Sequence, residues 1–264
     1  FTNPLNPDWP DVSPWTLLNA GQFRPDGPAG YPKLSNLLRS DEYAAAFNEV
    51  KSLGDLHSTT RTDEQTLIAR FWANDRNGTY KPPGHLNAIT QTIAANQGNT
   101  FSENARLFAL LNMALADAGV VAWDCKYATK LDLWRPITGI RNADDHHNRQ
   151  TGADPNWEPL SNDPAVNGFT PPFPAWISGH ATFGAAHAAV LREFYGADDL
   201  TFTITSDDTP GIERTYNSLD AIAHENGVSR VYLGVHWRMD IEDGYTAGTQ
   251  LGVWVVANYL RPVN

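Results

Sequence analysis

SENARLFALLNMALADAGVVAWDCKY, residues 102 to 127, is the stretch that most limits what this chain can become. It holds apolar residues at helical spacing, contains no proline, and is long enough for about six or seven turns. Other segments share that period. SDEYAAAFNEVKSLG has a Ser N-cap, early acids and a glycine stop, while TDEQTLIARFWAND pairs Thr62 with Gln65 as a capping box. GHLNAITQTIAANQG, HATFGAAHAAVLREFYG, SLDAIAHENGVSRVYLG and IEDGYTAGTQLGVWVVANYL complete the set, with one short extended stretch expected at TFTIT. The predicted fold is an all-α helical bundle carrying long functional loops. Residues 1–39, rich in Pro, Gly, Asn and Asp, read as an irregular N-terminal arm, and 40–264 as a single helical catalytic domain. No internal repeat is visible.

Charge narrows the function classes. The 264 residues carry 19 Lys and Arg against 30 Asp and Glu, a net charge of −11 that repels nucleic acid and anionic membranes. No run of about 18 apolar residues is evident that would span a bilayer, and FTNPLNPDWP lacks the pattern of a signal peptide. The chain is expected to be soluble, and its Phe start fits either a mature secreted or periplasmic form or a fragment whose upstream part is missing. A single cysteine, Cys125, excludes an internal disulfide and any multi-thiolate metal site.

Basic residues in an acidic chain gather in three patches. WDCKYATKLDLWRP brings Lys126, Lys130 and Arg135; FPAWISGHATFG brings Ser178, Gly179 and His180 to a helix start; SRVYLGVHWRMD brings Arg230, His236 and Asp240. Guanidinium forks, a lysine and helix N-terminal amides together suit a compact tetrahedral oxyanion. His236 fits a nucleophile or a ligand to the central atom, His180 fits an acid or base, and Asp240 is spaced to orient His236.

In order and spacing these patches resemble the three-part signature of vanadium-dependent haloperoxidases and the type 2 phosphatidic acid phosphatase superfamily. Ser229-Arg230, five residues, His236, three residues and Asp240 match its last part, and Ser178-Gly179-His180 its second. PPFPAWISGHATFG, SRVYLGVHWR and ARLFALLNMALADAG are similar to the chloroperoxidase type, and the likeness runs from about Phe71 to Asp240. The resemblance implies a vanadate cofactor bound to His236, its oxygens held by Lys126, Arg135, Arg230, Ser178 and the Gly179 amide. It also implies that Asp75 partners His180 and that Trp123 and Phe173 line the halide side. Hydrogen peroxide, halide and an organic acceptor would be the reactants. One departure stands: eight residues separate Lys126 from Arg135 where the family has six. Lys126 is assigned as the oxyanion lysine on its WDCKY context, with Lys130 as the alternative.

Two rival functions use the same residues. An acid phosphatase would form a phosphohistidine at His236, and a non-catalytic relic would bind oxyanions without turnover. Outside the three patches, His146 and His147 read as a solvated loop, and His85, His187, His224 and Cys125 as structural residues.

Overall fold

Helices start where the sequence places a side-chain acceptor ahead of an apolar run, because the first-turn N–H groups have no partner inside the helix. The computed structural model describes residues 3–261. An irregular arm ends in a single turn, α1 (Leu34–Leu37). Ser40 accepts from the Tyr43 amide to open α2 (Asp41–Leu53), and Thr62 with Gln65 forms the capping box of α3 (Asp63–Phe71). α4 (Lys81–Gln97) carries Pro82 and Pro83 in its first turn, where a missing N–H costs nothing, and ends at a left-handed Gly98. Thr100 and Glu103 form a second capping box on α5 (Phe101–Tyr127). After α6 (Pro136–Arg141) and a long loop come α7 (Gly179–Tyr195), α8 (Leu219–Tyr232) and α9 (Arg238–Asn258). The fold is all-helical apart from one hairpin. Its first strand, β1 (Phe202–Thr205), is the expected TFTIT segment, and it pairs antiparallel with β2 (Glu213–Tyr216), whose ERTY gives no alternating pattern in sequence.

α5 corrects one expectation. Its most apolar 18 residues have mean hydropathy 1.5, so by length and composition it could cross a bilayer. Its apolar surface is instead spent inside the bundle, where Leu107, Leu110, Leu111, Ala114, Ala118 and Val121 are fully buried. The arm is strapped along the same helix. Asp117 accepts from the amides of Trp15 and Thr16 at 2.7 Å each, and Asp124 accepts from Arg24 at 2.5 and 2.7 Å.

Topology brings the helix ends that matter to one pole. α7 and α9 run parallel along a seam of small residues, in which Gly244, Gly248 and Gly252 recur every fourth position and so share a face. A Cβ on Gly248 would stand 2.3 Å from the Thr182 carbonyl oxygen, and one on Gly252 would stand 2.6 Å from the Ala189 Cβ. Only bare backbone allows this approach. Between them α8 runs back, starting where the Leu219 amide donates to Asp198 and returning to pack Gly227 near Ala181. The starts of α7 and α9 and the ends of α5 and α8 therefore meet.

Near the seam, Asp243 on α9 accepts from Trp176 Nε1 at 2.8 Å and the Ala29 amide at 3.2 Å through one oxygen. Burial pushes its carboxyl from 3.8 up to about 6. A raised native value means the neutral form favours folding below the unfolded value, and that advantage is lost as pH rises through about 6. Asp243→Asn keeps the shared acceptor. It is expected to raise unfolding free energy at pH 8 by about 2 kcal/mol, with the gain shrinking toward zero near pH 4 in urea titrations.

Candidate active site

The converging helix ends enclose a cavity of about 380 Å³ lined at its floor by Asp75, Arg135, Gly179, His180, Arg230 and His236. Two helix N-termini, those of α7 and α9, turn their positive ends toward it. Trp123 and Phe173 form one wall, their rings 5.1 Å apart, and the Arg135 guanidinium lies 4.6 Å from the Phe173 ring centroid.

Arg135 precedes Pro136, which holds it in an extended conformation at φ −68° and ψ 154°. Its Nε donates to the Phe173 carbonyl at 2.8 Å, and its Nη1 donates to the Val235 carbonyl at 2.8 Å and to His236 Nε2 at 3.0 Å. Arg230, near the end of α8, donates from Nη1 to the Trp72 and Ala73 carbonyls and from Nη2 to Asp75 Oδ2 at 2.8 Å. What remains is informative. Arg135 Nη2, Arg230 Nε and His180 Nε2 are buried and lack any hydrogen-bond partner. An unpaired buried polar group costs roughly 1 to 3 kcal/mol, more when charged, so the two arginine donors call for a ligand rich in acceptor oxygens, and the His180 nitrogen for one that can also give up a proton. Among the described residues no group of three or more His, Cys, Asp or Glu side chains could hold a bare cation. The donor set thus fits an oxyanion, vanadate included.

His236 sits in the turn before α9. Its Nδ1 donates to Asp240 Oδ2 at 3.0 Å, and that oxygen also accepts from the Trp237 amide at 2.9 Å. With the proton on Nδ1, the lone pair is on Nε2. Burial, followed by the charges of Arg135 and Lys126, holds His236 well below the ordinary imidazole range. Burial and then Arg230 do the same for His180. Both rings are neutral at neutral pH, one as a base or ligand and the other as a proton carrier. Burial pushes the Asp240 carboxyl up, while Lys126 and Arg135 draw it back.

Four sequence expectations change here. Lys126 is buried, but its Nζ donates to the carbonyls of Pro174, Ala175 and Ile177 at 3.0, 3.0 and 2.5 Å, and it does not line the cavity. Three acceptors use all three ammonium protons, so this lysine shapes the loop before α7 rather than reaching an oxyanion. Lys130 is exposed, which removes the alternative. The eight-residue spacing is absorbed because α5 ends at Tyr127 and residues 128–135 are not helical. Ser178 caps α7, its Oγ accepting from the Ala181 amide at 3.4 Å, and it too lies outside the lining. Asp75 lines the cavity, yet its carboxylate accepts from Arg230 and from Asn167 Nδ2 at 3.4 Å, not from His180. His146 is no solvated residue: its ring is buried and stacks on Trp134 at 4.7 Å.

The sequence reading missed the carbonyls of Trp72 and Ala73, which carry no side-chain signature. It also missed Lys81, whose Nζ donates to the Asp75 and Arg76 carbonyls at 2.5 and 2.6 Å and ties down the loop bearing Asp75. Three other histidines hold packing or surface contacts. His85 Nε2 donates to the Thr205 carbonyl, His187 meets Thr90, and His224 pairs with Asp220 on the surface.

Known proteins resemble this chain over most of its length. Residues 106–264 match the family model described as the VCPO second helical-bundle domain. A vanadium chloroperoxidase from Curvularia inaequalis is 34% identical over 259 residues, covering 78% of this chain and 41% of that protein. The crystal structure of a bacterial vanadium-dependent iodoperoxidase superposes with a TM-score of 0.76 at 30% identity, over 96% of this chain and 57% of the other. A holo-type bacterial vanadium-dependent chloroperoxidase shares the fold, with a TM-score of 0.66 at 18% identity over 96% of this chain and 54% of the other. The chain spans less than half the length of the fungal relative. On the matched domain and these likenesses, it belongs to the vanadium-dependent haloperoxidase family.

Proposed function

We propose that this protein is a vanadate-dependent haloperoxidase that oxidises halide with hydrogen peroxide to hypohalous acid, which halogenates an organic acceptor. The observation that carries this reading is the trio of unpartnered buried nitrogens on Arg135, Arg230 and His180, residues that line one cavity with His236. Bound vanadate would supply an electrophilic oxide centre that activates peroxide toward halide without a change of metal oxidation state. The residues then divide the work. Arg135 Nη2, Arg230 Nε and the Gly179 amide would hold oxide oxygens, providing fixed positive charge in a site where water is excluded. His236 Nε2 would be the covalent ligand once it leaves Arg135, and Asp240 keeps the proton on Nδ1. His180 Nε2 would take a proton from peroxide and return it as hypohalous acid leaves. Trp123 and Phe173 would present an apolar wall to the halide.

The test is reconstitution with vanadate in phosphate-free buffer, followed by assay with peroxide and chloride, bromide or iodide beside a phosphomonoester assay. Halide oxidation that depends on vanadate is expected. Robust phosphoester cleavage without halide oxidation would make it a phosphatase, and tight oxyanion binding without either turnover would make it a relic.

Asp75 gives a prediction specific to this chain. Its negative charge offsets Arg230 at 2.8 Å. Asp75→Asn keeps an acceptor oxygen and removes that charge, so phosphate and vanadate are expected to bind about tenfold more tightly by calorimetry. Weaker binding would show that Asp75 acts by holding Arg230 in place.

A further inference from the structure

The cavity is larger than the inorganic reactants need. Halide and peroxide each occupy about the space of a water, roughly 30 Å³, whereas 380 Å³ falls within the range of small-molecule sites, about 300 to 1,000 Å³. Its charged groups lie on the floor. The outer part is built from Leu5, Trp9, Pro82, Pro171, Phe169 and Phe183. We propose that this outer part binds the organic acceptor itself, a neutral aromatic molecule of one or two fused rings, between Trp9 and Phe183; this rests on the haloperoxidase reading.

Two glycines let the aromatic side chains of this outer part pack against bare helix backbone. Gly119 lies inside α5, where glycine costs the helix about 1 kcal/mol relative to alanine. A Cβ there would stand 3.3 Å from Trp9 Nε1 and 3.7 Å from Phe183 Cζ, so the bare backbone is the base of the aromatic slot. A Cβ on Gly179 would meet Trp123 at 3.4 Å and Phe183 at 3.6 Å, on the side that joins the slot to the oxyanion floor.

The outer wall is held in place. The Leu5 carbonyl accepts from Trp123 Nε1 at 3.1 Å and Tyr127 Oη at 2.9 Å, and the Leu5 amide donates to the Pro172 carbonyl at 3.4 Å. Trp9 and Phe169 remain 39% and 40% exposed at the mouth, as apolar groups awaiting a flat ligand would be. Asp75 is paired with Arg230, and Lys81, which keeps its positive charge, is tied to the Asp75 and Arg76 carbonyls through two of its three ammonium protons. An anionic ring would be drawn to the arginines and compete with the oxyanion. The acceptor must also be electron-rich. The O–X bond of hypohalous acid breaks, a C–X bond forms at the ring, and the ring proton leaves with the hydroxide as water.

Binding can be read without turnover. Titrating 1-naphthol into vanadate-free, peroxide-free protein by calorimetry is expected to give saturable one-site binding. Trp9→Ala and Phe183→Ala, which remove a wall, and Gly119→Val, which fills the slot, are each expected to weaken it at least about tenfold, with circular dichroism checking the fold. Vanadate-loaded protein turning over bromide should give a ratio of bromonaphthol isomers different from that of reagent hypobromous acid. Absence of saturable binding, binding unchanged in all three variants, or an isomer ratio equal to the reagent's overturns the inference. Saturable binding sensitive to the variants in a protein that oxidises no halide supports the aromatic slot and overturns the haloperoxidase reading instead.

Discussion

His236→Ala should abolish retention of vanadate through gel filtration and lower halide oxidation by at least about a thousandfold. The size follows from what the ring supplies. Its Nε2 lone pair is held ready by the Nδ1–Asp240 bond, whereas Asp75 is paired with Arg230 and His180 is given to proton transfer, so no neighbour replaces the proposed covalent link. Loss of a single preorganised donor commonly costs 10²- to 10³-fold in turnover, and here the bond to the cofactor goes with it. The remaining arginines should still attract phosphate, at weaker affinity. A variant that kept normal vanadate retention and turnover would show that the arginines alone hold the cofactor and that His236 has another role.

Lys126→Met should be the most damaging change to folding among the charged residues of the site, costing about 3 to 5 kcal/mol in urea unfolding. It would leave the carbonyls of Pro174, Ala175 and Ile177 unpaired in the interior and strip Asp240 of a balancing charge. Oxyanion affinity separates this role from a direct contact. Because Nζ is spent on the loop, phosphate binding by the folded protein should weaken by less than about tenfold. A larger loss of affinity with little loss of stability would return the lysine to the oxyanion itself.

Much of this architecture could be read from letters because helix starts and apolar periods are local signals. Ser40 and Thr62 announce their helices ahead of the apolar runs, and the bundle follows from the faces those runs present, whereas the Thr100 cap of α5 was not read. The order of Arg135, His180, Arg230 and His236 was equally readable, since each lies at or near an end of a helical segment. Lys126 shows where letters stop: its partners in this structure are backbone carbonyls, which any sequence could supply. That Asp75 meets Arg230 could not be read in advance, because the approach of Arg230 depends on how α8 crosses the loop after α3. His146 was misread for a similar reason, as Trp134 covers it from a segment distant in helical register. The arm read only as irregular, and that Leu5 and Trp9 roof the cavity follows from two acids on α5, Asp117 and Asp124, that strap it down.

The glycine seam between α7 and α9 has a consequence for how such a protein can diversify. Where helices touch through their main chains, no change of rotamer can widen or narrow the gap between the turns that carry His180 and His236. That spacing is a rigid gauge, common to every ligand the floor receives. Changes in which molecules are admitted must therefore arise at the periphery, in the loop that carries Phe169 and Phe173 and in the strapped N-terminal residues, where a new side chain alters shape without disturbing the gauge.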